Sequence, residues 1–578
     1  MELAGGPTLS LIPFGPCFYF DRLKINEALD SNMTIYQRYI HKYWDIILLA
    51  FIIALAALLR SGLLSVPLER DEGEYAYTAQ LILQGIPPYA ETYSMKMPGI
   101  YAVYAFFLML FGQTHTGIHL GLLLVNILTI ALLFLLARQT FDPLAAVVTC
   151  ATFAILSLND SLQGISANAE HFVVFAAVAG TLLLFRAITL ERPKLLLWSG
   201  CFFGLGFLIK QHGLAFVAFA CLYLLICDLK SRPILWRQRF YRWLLFLIGV
   251  VLPFGLTCLL LLILGVFDKF WFWTFAYARQ YVTAVPFPVG VELLKLNLMP
   301  ILASSAFIFL LAGIGLILLF FHWNSYLDKT FVLLFSLFSW LAVCPGLYFR
   351  PHYFVLTLPS VALLVGICLS SLDKLTAKKN TYSLRKVVPL LLLSFSLLHS
   401  VWYQRDYLFR FTPTMVARHV YGYEPFPESL EIAKYIKENS SEHDRIAVLG
   451  SEPQIYFYAK RRAATGYLYT YPLMEPQPYA REMQQEMIGE IESAHPEFLV
   501  LVHVRTSWLE RPNSEKMIFT WSKSYRQKHY KLVGIIDILS TEKTVSRWGD
   551  ECAGYVPRSR YWLAVFQRKG EGFSSELS

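Results

Sequence analysis

Apolar runs of roughly 18 to 24 residues recur along this 578-residue chain, and each is long enough to cross the hydrocarbon core of a bilayer as a helix. Inside a bilayer only helices and closed barrels satisfy their backbone polar groups, and runs of this length select helices. With 56% apolar and 16% charged residues, the composition excludes an ordinary soluble globular protein. We read about eleven spans: 44–64, 117–137, 143–158, 169–188, 195–209, 213–227, 243–266, 297–321, 330–347, 353–371 and 387–402. A shorter run, Pro98 to Phe111, is taken as an interfacial helix, because a full crossing there would move every later basic loop to the other side.

With that choice the basic residues gather on one side: Arg22, Lys24, Arg38 and Lys42, Arg138, Arg186 to Lys194, Lys230 to Arg242, Lys329, and Lys374 to Lys386. That side is expected to be cytoplasmic. Membrane insertion therefore accounts for the net charge of +9, and no nucleic-acid partner is expected. The first run shows no cleavage pattern, so it is expected to remain as an anchor. Most of the nine cysteines fall inside apolar runs, which argues against a disulfide framework.

Three regions follow: a cytoplasmic segment 1–43, a membrane domain 44–402 with its first outer loop at 65–116, and an extracytoplasmic soluble domain 403–578. In the last, strand-like runs at Ile446 to Leu449 and Phe498 to Val502 alternate with helix-like stretches at Ser429 to Asn439 and Tyr479 to Ser493, the pattern of a small α/β domain. The segments facing outward are the loop 65–116, the 159–168 loop, the Lys210-Gln211-His212 turn, the loop 267–296, the 348–352 turn and the C-terminal domain.

The first outer loop holds the most suggestive residues. Asp71 and Glu72 stand in Glu69-Arg70-Asp71-Glu72-Gly73-Glu74-Tyr75-Ala76-Tyr77, and Lys96 follows within folding reach. A carboxylate pair with a nearby cation at a membrane surface can activate a hydroxyl beside a phosphate. The spacing also fits a plain capping box, with Asp71 as N-cap and Glu74 three residues on. Glu170 and His171 open a span, Lys210 and His212 break an apolar hairpin, and Arg350 and His352 fill another outer turn. Such ionisable groups are expensive at a membrane unless they pair or line a wet cavity. Glu170, His171, His212 and His352 leave a divalent metal possible, although no ligand motif of fixed spacing is present. The rings of Phe270 to Trp273 suit an interfacial belt or a cradle for a lipid tail.

These features resemble the membrane-embedded glycosyltransferases of the GT-C fold, in particular the branch similar to protein O-mannosyltransferases and lipid A aminoarabinose transferases. The resemblance rests on Asp71-Glu72 after the first span, Tyr75-Ala76, Lys96-Met97-Pro98, and the plan of many spans followed by an outer domain. It implies a polytopic GT-C-like helical fold, Asp71 as general base with Glu72 beside it, and Lys96 on a lipid phosphate. It also implies that Glu170 is the acidic residue of the second outer loop. The aminoarabinose transferases carry a metal-binding glutamate where this chain has Met95, which departs from that metal site.

The expected activity is transfer of a sugar, with inversion, from a polyprenyl-phosphate donor to a hydroxyl of a lipid, glycan or protein on the outer face of the plasma membrane. Nucleotide sugars are cytoplasmic, so an outer-face enzyme needs a lipid-borne donor. Asp71 would take the acceptor proton, and Lys96, with Lys210, Arg350 and His352, would hold the donor phosphate. Two rival readings are a transporter or lipid flippase built on the same ionisable groups, and a receptor built around the outer domain.

Overall fold

A computed structural model of the protein describes residues 35–230, 235–322, 325–377 and 382–569. The first 34 residues of the expected N-terminal segment, with Arg22 and Lys24, lie outside them, as do Arg232, Lys378, Lys379 and residues 570–578. Among the described residues seven helices are long and apolar enough to cross a membrane: Lys42–Ser61, His115–Thr140, Ala169–Thr189, Gln211–Lys230, Trp236–Ile263, Phe287–Ser304 and Pro351–Leu375. Five shorter apolar helices accompany them, Pro98–Phe111, Pro143–Leu156, Lys194–Ile209, Ala306–Phe321 and Val387–Tyr403. The protein is an integral membrane protein.

The helices pack on sequence neighbours, as Ala169–Thr189 on Lys194–Ile209, and on distant ones, as Pro143–Leu156 on Leu358–Ala377, with tight glycine contacts. Gly200 and Gly249 let the helices Lys194–Ile209 and Trp236–Ile263 touch backbone to backbone, since a Cβ on Gly249 would stand 2.1 Å from the Leu197 carbonyl oxygen. Buried charge at the bundle ends is paired. Asp45 meets Arg138 at 2.8 Å, and Asp228 meets Arg242 at 3.1 Å.

Two sequence expectations are corrected. The run 297–321 is two helices, Phe287–Ser304 and Ala306–His322, broken at Ser305. Asn159 donates to the hydroxyls of both Ser304 (2.8 Å) and Ser305 (3.1 Å), and Ser305 also pairs with Ser400 (2.9 Å). This buried polar pin interrupts what hydropathy reads as one continuous segment. The expected loop at 267–296 is helical too: Phe267–Trp271 and Ala278–Val282 flank a π-helical turn, Phe272–Tyr277.

The C-terminal domain holds a six-stranded mixed sheet of order β2-β1-β3-β6-β4-β5. Its strands are β1 (Arg445–Leu449), β2 (Arg462–Ala463), β3 (Phe498–His503), β4 (Tyr530–Ile538), β5 (Thr544–Trp548) and β6 (Trp562–Arg568). β1 runs parallel to β2 and β3, whereas β6 is antiparallel to β3 and β4. Alternate residues serve the two faces. Ile446 and Val448 join Ile432 and Ile436 of the helix Phe426–Glu438, while Ala447, Leu449 and Leu499 join Met483 and Met487 of the helix Ala480–Ala494. Cover on both faces explains why β1 and β3 read as unbroken apolar runs.

This domain clasps the helix Arg70–Leu83. The Arg70 guanidinium donates to the Ser451 carbonyl (2.5 Å) and to Glu424 and Glu452 (2.8 Å each). The Tyr77 hydroxyl accepts from the Ala463 amide at 2.7 Å, and the Tyr458 hydroxyl from the Leu68 amide at 2.8 Å. Gly73 lies so close that an added Cβ would stand 2.6 Å from the Gln454 nitrogen.

Candidate active site

The capping box that starts the helix Arg70–Leu83 lies two residues earlier than the sequence suggests. Glu69 is the N-cap and accepts from the Glu72 amide (3.1 Å), while Glu72 Oε2 accepts from the Glu69 amide (3.2 Å). Glu72 Oε1 also accepts from the Ala167 amide (2.6 Å) and faces His119 Nε2 (3.1 Å). Glu72 is 1% exposed and does not line the cavity described below, so the carboxylate paired with Asp71 in the sequence anchors the loop. Its neighbour Asp71 is released from capping and points the other way.

Asp71 Oδ2 accepts from the Lys96 ammonium at 2.8 Å, and Oδ1 accepts from the Tyr469 hydroxyl at 2.8 Å. The ammonium also reaches the Tyr75 hydroxyl at 3.3 Å. Burial alone would push the Asp71 carboxyl up. The Lys96 charge and hydrogen bond, with other positive groups nearby, outweigh it and hold the carboxyl well below the usual range. Burial likewise disfavours the Lys96 ammonium, but Asp71 and Glu74 reverse that and raise its pKa. The two directions agree on an ion pair. Glu74 is raised by burial, and its Oε1 accepts from the Tyr101 hydroxyl (2.6 Å).

A second charged group stands beside the first. The Lys210 ammonium forms a short ion pair with Glu170 Oε1, lies 4.4 Å from the Tyr353 ring centre, and Glu170 Oε1 is 4.0 Å from His352 Nε2. His352 Nδ1 meets Gln163 Oε1 at 2.9 Å. The His212 ring lies against Tyr353 at a tilt of 55°, with centres 4.8 Å apart. His171, although next to Glu170 in sequence, is buried with Nε2 unpaired and makes no described hydrogen bond or ion pair to this group. Arg350 has no carboxylate partner within ion-pair distance among the described residues; it lies near Tyr348 and Tyr281.

A cavity of about 220 Å³ joins the two groups. Asp71, Lys96, Arg350 and His352 face it from the membrane domain, and Tyr469, Tyr471 and Glu475 close it from the C-terminal domain. Glu475 accepts from the Tyr277 hydroxyl at 2.5 Å. Lys210 and Glu170 stand behind this lining. Among the described residues no group of three or more His, Cys, Asp or Glu is placed to hold a metal ion, and the Met95 carbonyl accepts from the Gln211 side chain at 3.1 Å. The cavity can hold a phosphate against Lys96 and Arg350 and an acceptor hydroxyl against Asp71.

The sequence reading missed Tyr469, Tyr471 and Glu475. The only signal lay in the crowding of tyrosines in Tyr467-Leu468-Tyr469-Thr470-Tyr471, which names no partner.

Many membrane helices followed by a C-terminal α/β domain seated at one end of the bundle give the chain a GT-C-like fold. Residues 95–257 match the family described as dolichyl-phosphate-mannose-protein mannosyltransferase. Among solved structures, ArnT from Cupriavidus metallidurans bound to undecaprenyl phosphate is similar at 15% identity and a TM-score of 0.57, covering 89% of this chain and 97% of that one. The Archaeoglobus fulgidus oligosaccharyltransferase in its apo form is similar at 13% identity and a TM-score of 0.50, covering 89% of this chain and 75% of that one. No curated protein sequence matches the chain.

Proposed function

We propose that the protein is an inverting glycosyltransferase that uses a polyprenyl-phosphate sugar and a hydroxyl acceptor, working on the non-cytoplasmic face of the membrane. The observation that carries this reading is the contact of Asp71 Oδ2 with Lys96 Nζ at 2.8 Å inside a cavity at the membrane end of the C-terminal domain. Support comes from the matching family's name, a lipid-phosphate sugar transferase, and from the undecaprenyl phosphate bound in the similar ArnT structure.

The donor phosphate enters against Lys96 and Arg350 and draws the ammonium from Asp71. The freed carboxylate takes the proton of the acceptor hydroxyl as its oxygen attacks the anomeric carbon from the side opposite the phosphate. The carbon–oxygen bond to phosphate breaks, a glycosidic bond forms with inverted configuration, and the lipid phosphate keeps the electron pair. Lys96 and Arg350 stabilise the charge that develops there. Phosphate leaves readily, so no strong general acid is required.

Sugar release from a polyprenyl-phosphate donor onto endogenous acceptor in membranes tests this directly. Asp71→Asn, nearly isosteric, is expected to lower transfer by about 10²–10⁴-fold at a temperature well below the variant's own melting point. Full transfer by that variant would remove Asp71 from the reaction, and solute flux without transfer would favour a transporter.

A further inference from the structure

Two more cavities continue from the reaction cavity along the aromatic segment 267–277. The nearer one, about 430 Å³, shares Tyr93 and Trp273 with the reaction cavity. The farther one, about 340 Å³, shares Asp268 and Phe272 with the nearer and opens beside Trp271, which is 50% exposed. Tyr93 and Trp273 thus form the wall common to the reaction cavity and its neighbour, and Asp268 and Phe272 the wall common to the two outer cavities. A π-helical turn, Phe272–Tyr277, runs along these walls, a geometry found often at functional sites.

The nearer cavity is walled by rings from both halves of the molecule. Trp273 lies parallel to Tyr93, with centres 5.8 Å apart, and meets Tyr467 edge to face at 5.9 Å. Phe272 meets Tyr479 of the C-terminal domain edge to face at 5.3 Å. Tyr93 is fixed at three points: its hydroxyl donates to Glu490 (2.8 Å) and accepts from Lys269 (3.0 Å), and its amide donates to the Gly466 carbonyl (2.7 Å). Three carboxylates, Asp268, Glu482 and Glu486, border the same cavity against one cation, Lys269, which is already held over the Tyr93 ring.

Rigid ring faces bordered by hydrogen-bond acceptors suit a sugar. Its C–H face stacks on the half-buried rings of Phe272 and Tyr479 while its hydroxyls donate to Asp268 and Glu482. Excess negative charge favours ammonium groups and repels phosphate or uronate. We propose that this cleft binds the acceptor, and that the acceptor is a glycan of neutral or amino sugars whose reacting hydroxyl is presented past Trp273 to Asp71. The role as acceptor rests on the transferase reading; the binding does not.

Binding is measured by calorimetry on the full chain in nanodiscs without donor. The probes are a tetramer of β-1,4-linked glucosamine, cellotetraose, a galacturonate tetramer and a Ser/Thr-rich peptide. The glucosamine tetramer is expected to bind most tightly, cellotetraose more weakly, and the galacturonate not at all. Phe272→Ala should weaken glucosamine-tetramer binding at least tenfold. Glu482→Lys, at an exposed position where folding is not at stake, should abolish the advantage of the amino sugar and admit the galacturonate. The proposal is overturned if neither of the first two oligosaccharides binds, if both variants bind like the parent chain, or if the peptide displaces the sugar. Full transfer by Asp71→Asn would instead retract the reaction while leaving the cleft's binding untouched.

Discussion

Asp71 and Lys96 are 25 residues apart in sequence and 2.8 Å apart in space, and each sets the other's charge. The Asp71 carboxyl lies below its ordinary range, so its ionised form is fully present above that range and is lost only as pH falls through the lowered value. The Lys96 ammonium lies above its ordinary value, so it persists as pH rises to well past neutrality. The rate of transfer should therefore show no limb from either group between about pH 5 and 9, given their ordinary values of about 3.9 and 10.4. In Lys96→Gln the carboxyl loses its cation and burial prevails. Residual activity, followed as kcat/KM against pH, should then fall on the acid side at a pH above that of the parent chain. Tyr469→Phe removes the hydrogen bond to Oδ1 and should lower kcat by about ten- to a hundredfold, in line with the roughly 1.5–3 kcal/mol of a bond to a charged group; an unchanged kcat would show that the hydroxyl does not orient Asp71. The sequence made Asp71 and Lys96 legible because they share one loop, and Arg350 and His352 because charged residues in a membrane turn need a reason. Tyr469, 398 residues from Asp71, carried no comparable mark.

At the scale of elements, the helix Arg70–Leu83 decides how Asp71 and Glu72 divide their work. Consecutive residues on a helix point about 100° apart, so one faces the cavity and the other faces Ala167 and His119. A carboxylate pair reads the same in sequence whichever member is structural, and the true cap, Glu69, obeys the same spacing rule as the expected one. Glu72→Ala would strip partners from two buried amides at once. A loss of about 2–4 kcal/mol is expected, seen as a lower melting temperature, with any surviving protein retaining catalytic competence. The break at Ser305 was hidden for a related reason: hydropathy averages over a window, and two serines inside a run of Leu, Ile and Phe scarcely change the mean. The pin that breaks the helix comes from Asn159, far away in sequence. The aromatic segment 267–277 failed as a loop because its rings are buried partners, Phe270 against Tyr89 and Trp273 against Tyr93, and do not form a simple belt.

Across the whole molecule, the apolar runs and the α/β alternation near the C-terminus were legible because each repeats a simple period, whereas the seating of one domain on the other depends on single contacts. Gly73 is such a contact, facing the Gln454 backbone. Gly73→Val would force the helix Arg70–Leu83 away from the helix Gln454–Ala459 and carry Asp71 from Tyr469. Transfer should fall by at least tenfold although no reacting group is changed, and limited proteolysis should cut more readily between the membrane helices and the sheet. Protection equal to that of the parent chain would refute the account.

A lone hydrogen at position 73 thus sets the tolerance of the seam between greasy and watery halves, two residues from the carboxylate proposed to accept the proton. Any drift of the C-terminal half, from whatever cause, reaches Asp71 as a displaced carboxylate oxygen. Side chains on the far sides of the two halves leave this fit untouched, whereas any group added along the line displaces both backbones at once.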